Sequence, residues 1–320
     1  MRMKKLIILY VMFAFWAGGG QAQQLSHLAG AFADLPLGVR PAGMGGAYTA
    51  LSSDGNAVFY NPAAAALVSY ASLTATTSRI FNIVPATFIG IHYPTGKISW
   101  VAGIQQVGDD LLKETTAAAG IAVKAEDLLP HYLQKVPFFD RMAFSATFRF
   151  RLASFGNNEE GGENRITGDG RGYAIDLGYY VQVNGLRFGL TLHDAVGQFR
   201  WNSSGRGNYV QNIPTRLSLG LAYAERRLRF ALDVQPSLYE DLPDRVQVGL
   251  EANVTMWLVL RGGITQDVGG QSLNKSMTLG FGVYSLSWKK YRLAIQGGYR
   301  TGQLNGTYQF AIDLFWPGRK

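Results

Sequence analysis

From about residue 69 onward, apolar and polar residues alternate one by one in short stretches, the two-residue period of a strand whose faces meet different surroundings. In RMAFSATFRFRL, Met142, Phe144, Ala146, Phe148, Phe150 and Leu152 share one face, and Arg141, Ser145, Thr147, Arg149 and Arg151 the other. The same split recurs downstream. Leu186, Phe188, Leu190 and Leu192 oppose Arg187, Thr191 and His193; Leu217, Leu219, Leu221 and Tyr223 oppose Arg216 and Ser218. Leu228, Phe230, Leu232 and Val234 oppose Arg229, Asp233 and Gln235, and Val246, Val248, Leu250 and Val254 oppose Arg245, Gln247, Glu251 and Asn253. Asn184-Gly185 reads as a two-residue hairpin turn, and Tyr93-Pro94-Thr95-Gly96-Lys97 as a slightly longer one. The pattern predicts strands near 71–80, 86–93, 98–107, 141–152, 172–182, 186–194, 214–224, 227–235, 244–254, 257–266, 276–286, 290–300 and 307–316, with a weaker candidate at 117–125.

A soluble β-sandwich alternates too, so the character of each face has to decide. Here the polar face carries many arginines together with Asp176, Asp233, Glu251 and Asp313, as a wet lumen would, and aromatics stand at strand tips: Trp100, Tyr223, Trp257, Trp288, Tyr299 and Trp316. Both features favour a transmembrane antiparallel β-barrel over a sandwich. Single-chain bacterial barrels close on even strand numbers, so about fourteen strands are expected. The last strand, TYQFAIDLFW, is amphipathic and ends in an aromatic, like the assembly signal of outer-membrane barrels. Longer connections at 108–138, 156–171, 201–213 and 267–274 read as loops, with a turn or two of helix within 125–140.

Composition fits a chain whose surface does not face only water: 47% of residues are hydrophobic and 16% charged, against roughly 25% charged in soluble domains. The first 22 residues combine a basic start, an apolar run from Leu6 to Ala17 and small residues at Gly20 and Ala22, the three-part pattern of a signal peptide. Export to the bacterial outer membrane follows, with the mature chain starting near Gln23 or Gln24. The formal charge of +8 includes Arg2, Lys4 and Lys5 of that leader and falls to 8 − 3 = +5 without them, too mild to indicate nucleic acid. There is no cysteine, which excludes disulfides, thiolate metal sites and a lipoprotein anchor.

Between leader and barrel (69–320) lies a segment, 23–68, that is small, apolar and rich in glycine. A free tail of that composition would be poorly solvated, and a fourteen-strand barrel has a lumen to fill. An N-terminal plug in the lumen satisfies both. Gly43, Gly45, Gly46 and Gly55 would let its backbone turn and approach the wall, and Asn61-Pro62 would set a turn. The glycine spacing fits no phosphate-binding loop. From Phe32 to Ala64 the chain resembles the N-terminal signature of the PorV/PorQ family of outer-membrane proteins, through Gly38, Arg40, Met44, Gly45, Gly46, Ala47, Ala50, Asp54, Tyr60, Asn61, Pro62 and Ala63. Stretches of the C-terminal third resemble the family as well.

That resemblance implies a plugged barrel similar in fold to the long-chain fatty-acid channel, and a non-enzymatic role in type IX protein secretion or in attaching exported proteins to the cell surface. The implied partners are outer-membrane lipid and secreted cargo proteins or subunits of the secretion machinery. The alternative is a passive channel for small hydrophobic molecules.

No catalytic, cofactor or metal constellation emerges. The four histidines, His27, His92, His131 and His193, are scattered; His193 and Asp194 are neighbours, but a strand would send them to opposite faces. No serine elbow is present. The acidic residues of the 156–171 loop lack calcium-ligand spacing. The arginines expected in the lumen, Arg149, Arg151, Arg187, Arg216, Arg229, Arg245, Arg292 and Arg300, either select anionic solutes or pair with interior acids such as Asp233 and Glu251 and with the plug. Pairing is favoured, because an unpaired buried charge is costly.

Overall fold

A computed structural model describes residues 37–128, 138–156, 166–238, 243–269, 275–302 and 305–319. The leader, the plug assignment before Leu37, His27, His131 and the acidic residues at 157–165 lie outside them. The strands are β1 (Tyr70–Ile80), β2 (Val84–Thr95), β3 (Ile98–Gly108), β4 (Leu112–Lys124), β5 (Met142–Phe155), β6 (Gly168–Val183), β7 (Leu186–Ser203) and β8 (Gly207–Asn212). They continue with β9 (Arg216–Ala224), β10 (Leu228–Gln235), β11 (Asp244–Asn253), β12 (Leu258–Val268), β13 (Lys275–Trp288), β14 (Tyr291–Arg300) and β15 (Thr307–Pro317). Each pairs antiparallel with its neighbours, and β1 pairs with β15 from Tyr70↔Pro317 to Arg79↔Tyr308, so the sheet closes on itself.

Fourteen strands form the ring and β8 is extra. β7 is long enough to pair with β9 through Leu186–His193 and with β8 through Gln198–Ser203. Residues 213–215, with Pro214 lacking a backbone donor, separate β8 from β9 and make them two pieces of one returning strand. The weak strand candidate near 117–125 is β4, starting five residues earlier, and the expected loop 201–213 holds the end of β7 and all of β8. The turn after β2 is also shorter than expected, only Gly96-Lys97, with Thr95 opposite Ile98.

The expected alternation sets the two surfaces. In β5, Phe148, Phe150 and Leu152 are exposed outside while Thr147, Arg149 and Arg151 are buried inside. Ile104, Leu221, Phe230, Leu250 and Ile312 extend the apolar exterior around the ring. Beyond Leu152, Tyr173 and Val196 the outer face turns polar, with Asp169, Arg171, Arg200 and Asn202 exposed, so the ends of β6 and β7 project past the apolar band. No described helix is long and apolar enough to cross a membrane; the strands provide the crossing surface.

One expectation about sidedness fails. His193 and Asp194 both point into the barrel and are both buried. The register of β6 against β7 jumps between Ile175↔Val196 and Leu177↔Leu192, so Asp176 alone faces His193, Asp194 and Ala195. Asp194 absorbs the extra length with a left-handed backbone, φ 53°, which aspartate tolerates better than most residues. A bulge, invisible to a count of twos, reverses the alternation there.

Candidate functional site

The described part of the N-terminal segment, from Leu37 to the start of β1, runs through the inside of the ring as three short helices: Val39–Gly43, a 3-10 turn at Gly55–Phe59, and Pro62–Ala65. Its capping follows from its sequence. Asp54 accepts from the Asn56 amide at 3.0 Å at the head of the 3-10 turn. Asn61 accepts from the Ala63 amide at 3.2 Å, with Pro62 in the first turn where its missing donor does no harm. Gly38, Gly45 and Gly46 have φ of 98°, 65° and 84°, the region open to glycine.

Four contacts hold this segment to the wall. Arg40 grips Glu251 of β11 with two nitrogens, at 2.9 and 3.1 Å, and also reaches Asp54 at 3.0 Å and the Tyr48 hydroxyl at 2.9 Å. Tyr48 in turn donates a hydrogen bond from its hydroxyl to Asp54 at 2.7 Å. Glu251 is shared further by Arg261 at 2.7 Å and by Arg229. Arg261 continues the chain to Gln296, which donates to Asp313. Three guanidiniums on one buried carboxylate satisfy charges that would each cost several kcal/mol alone. Burial works against the Arg40 cation, but the carboxylates of Glu251 and Asp54 outweigh it and push its pKa up; burial likewise raises the Tyr48 phenol, which stays neutral.

The second contact is Asp233 of β10, accepting from the Tyr48 and Thr49 amides at 2.9 and 2.8 Å. The third involves Thr278 and Thr265, bonded to the backbone of Gly43 and Gly45. The fourth is Asn61, whose amide nitrogen donates to Thr49 and to Tyr179 of β6, both at 3.1 Å. Met44 is fully buried, and Tyr60 donates to the Leu37 carbonyl at 3.2 Å.

Sequence reasoning missed the wall's half of this fit. Glycines on the inward face of β2, β7, β11 and β12 receive the segment's backbone: an added Cβ would lie 2.2 Å from the Gly55 carbonyl at Gly90, 2.5 Å from the Thr49 carbonyl at Gly189, 2.5 Å from the Met44 carbonyl at Gly249 and 2.3 Å from the Gly45 amide at Gly263. Their signal was in the sequence: glycine inside a strand marks close approach by another backbone.

A second cluster lies beyond the segment, at the β7 bulge. Asp176 contacts Arg149, accepts from the Asp194 amide at 2.9 Å and stands 2.9 Å from His193 Nδ1. Asp194 pairs with Arg151 at 2.8 Å and lies 3.7 Å from Arg216. Across the lumen Arg245 donates to Asp267 at 2.8 Å, while Arg187 is half-buried and the Tyr180 phenol donates to Gln182 at 3.1 Å. Between this cluster and the segment lies a cavity of about 70 Å³. Among the described residues no group of three or more histidines and carboxylates is placed to hold a metal.

No protein-family model matches the sequence, and no curated protein matches it. Solved structures do. The CymD monoaromatic hydrocarbon channel superposes with a TM-score of 0.60 at 13% identity, covering 88% of this chain and 98% of that one. The toluene transporter TbuX of Ralstonia pickettii gives 0.55 at 14%, covering 88% and 98%. The toluene transporter TodX of P. putida gives 0.57 at 13%, covering 89% and 99%. At such identities the likeness is one of fold. The chain is a bacterial outer-membrane β-barrel. The motif likeness to the PorV/PorQ family is carried no further by these matches. Because periplasmic turns of such barrels are short, the end with Gly96-Lys97 and Asn184-Gly185 is periplasmic, and the projecting ends of β6 and β7 are extracellular.

Proposed function

We propose that the chain is a passive outer-membrane channel for small hydrophobic molecules, closed at rest by residues 37–68. One observation carries this reading: a ring of fourteen strands with a segment docked across its lumen, on the fold of three hydrocarbon channels. The alternative role in type IX secretion rests on the motif, and the motif residues are accounted for inside the barrel. Gly38, Met44, Gly45, Gly46, Asp54, Asn61 and Pro62 are buried, and Arg40 and Tyr60 half-buried, in contacts that fix the segment. They offer no surface to a cargo protein. The cavity of about 70 Å³ beside the segment is about half the size of the roughly 150 Å³ cavity known to take benzene. Passage requires the segment to shift. The test is uptake of radiolabelled toluene by whole cells with and without the protein in their outer membrane. Faster uptake with the protein is expected; equal rates would overturn the channel.

A further inference from the structure

The outer face of the projecting strand ends places two like charges side by side. Arg171 of β6 and Arg200 of β7 are direct cross-strand partners, both exposed, on the face that carries Tyr173, Ile175 and Val196 below them. Like charges directly opposite one another repel, and an anion between them removes the repulsion. Among the described residues no acid supplies it. Arg200 donates to Gln198 of its own strand at 3.3 Å, and Asp169, on the same face, stands opposite Asn202 with no ion pair to either guanidinium. Glu159, Glu160 and Glu163 of the connection between β5 and β6 lie outside the described residues and are the rival counterions within this chain.

The height of the pair on the barrel indicates the source of the anion. Along β6 the outer face runs Tyr179, Leu177, Ile175, Tyr173, Arg171, an apolar stretch between two tyrosines, as at the two interfaces of a membrane. Two residues of strand rise only about 6–7 Å, so the guanidiniums lie just beyond the hydrocarbon edge, at the level of lipid headgroups. Leu152 and Val210 flank the pair in the same register and are 47% and 55% exposed, a surface suited to acyl chains. One step farther out, Asn202 of β7 faces Asn208 of β8, both exposed. Guanidiniums fork onto phosphate oxygens and carboxamides bond to hydroxyls, so the group matches a phosphate carried on a sugar. These strand ends are extracellular, on the side where the leaflet of a bacterial outer membrane is built of phosphorylated glycolipid.

We propose that Arg171 and Arg200 together hold a phosphate of an outer-leaflet glycolipid against the projecting ends of β6 and β7. The site depends on the orientation of the barrel in the membrane and not on what the barrel transports. The full-length protein, purified in detergent, is titrated calorimetrically with lipid A, the phosphorylated disaccharide lipid, with lipid A stripped of its phosphates, with phosphatidylglycerol and with inorganic phosphate. Saturable lipid A binding is expected, with the other three each at least about tenfold weaker, the loss of one charge-assisted contact being worth a factor of that order. Replacing both residues, Arg171→Gln with Arg200→Gln, should weaken lipid A by at least that factor, and the paired lysine replacements by less. Arg226→Gln, on an exposed turn at the periplasmic end, should leave it unchanged. Heat-modifiable mobility on gels confirms that each variant is folded. In detergent without lipid A, the double glutamine variant should have a urea midpoint no lower than the parent's, because it loses a repulsion; added lipid A should raise the parent's midpoint and not the variant's. Lipid A binding that the stripped lipid, phosphatidylglycerol or inorganic phosphate equals, or that survives the double glutamine replacement, would overturn the site. A lipid-free midpoint that falls in the double variant would overturn it too, by showing that the two arginines are paired within the chain.

Discussion

Glu251 shows how much one residue can organise here. Its two oxygens receive Arg40 from the inner segment and Arg229 and Arg261 from the neighbouring strands, so removing its charge leaves three guanidiniums, one buried and two half-buried, facing one another. Breaking a buried pair from one side costs about 3–5 kcal/mol, far more than the pair contributes relative to an apolar replacement. Glu251→Gln keeps the shape and loses the charge. It should therefore lower the folded barrel's stability by about that amount, read as a lower urea midpoint for loss of heat-modifiable mobility, while Glu225→Gln on an exposed turn should change it by less than about 0.5 kcal/mol. Equal midpoints for the two would show that the cluster is not the tether its geometry describes. Asp194 makes the complementary point: a residue of ordinary type, in an ordinary strand sequence, takes a left-handed backbone and thereby brings His193, Asp176 and three arginines into one buried group.

At the level of the strand, the sided pattern is the main source of both solubility in lipid and order in the lumen. Phe148, in the middle of β5, is 51% exposed on the outer face, and its neighbour Arg149 is buried inside. Phe148→Arg should cost about 2–4 kcal/mol, the range for a cation at the bilayer midplane, whereas Phe148→Leu should be nearly neutral. Folding into lipid vesicles followed by urea titration measures both. A Phe148→Arg variant as stable as Phe148→Leu would place this face away from lipid. Alternation of this kind was legible along most of the chain, because β5 and β9 to β12 keep a strict period of two. It was faint where a strand is weakly amphipathic, as in β4 with its run Ala117-Ala118-Ala119-Gly120, and it failed where a bulge shifts the register, as at Asp194. The first carries too little contrast between faces to be counted, and the second depends on a partner strand that a single sequence window does not contain.

For the molecule as a whole, closure depends on two backbones meeting at glycine. Gly263 of β12 leaves room for Met44 and Gly45, and a side chain there would collide with main-chain atoms that cannot rotate away. Gly263→Val should displace the inner segment without removing any lipid-facing group, raising single-channel conductance in planar bilayers while heat-modifiable mobility stays that of a folded barrel. Unchanged conductance in a folded variant would mean that the segment does not seal the lumen.

The sequence by itself determined the membrane barrel, its approximate strand number, which face of most strands meets lipid, and the residues of the inner segment that turn or cap it. These follow from local rules of period, glycine and capping, which act within a few residues. Only the tertiary structure decided which partners those residues meet. Arg40 and Glu251 are 211 positions apart, Tyr48 and Asp233 185, and the glycines of the wall acquire meaning only once the segment lies against them. Ring closure brings these pairs together, and closure is a property of all fourteen strands at once, as is the cavity lined by Arg149, Arg216 and Arg245 of three strands and by Phe59 and Tyr60 of the inner segment.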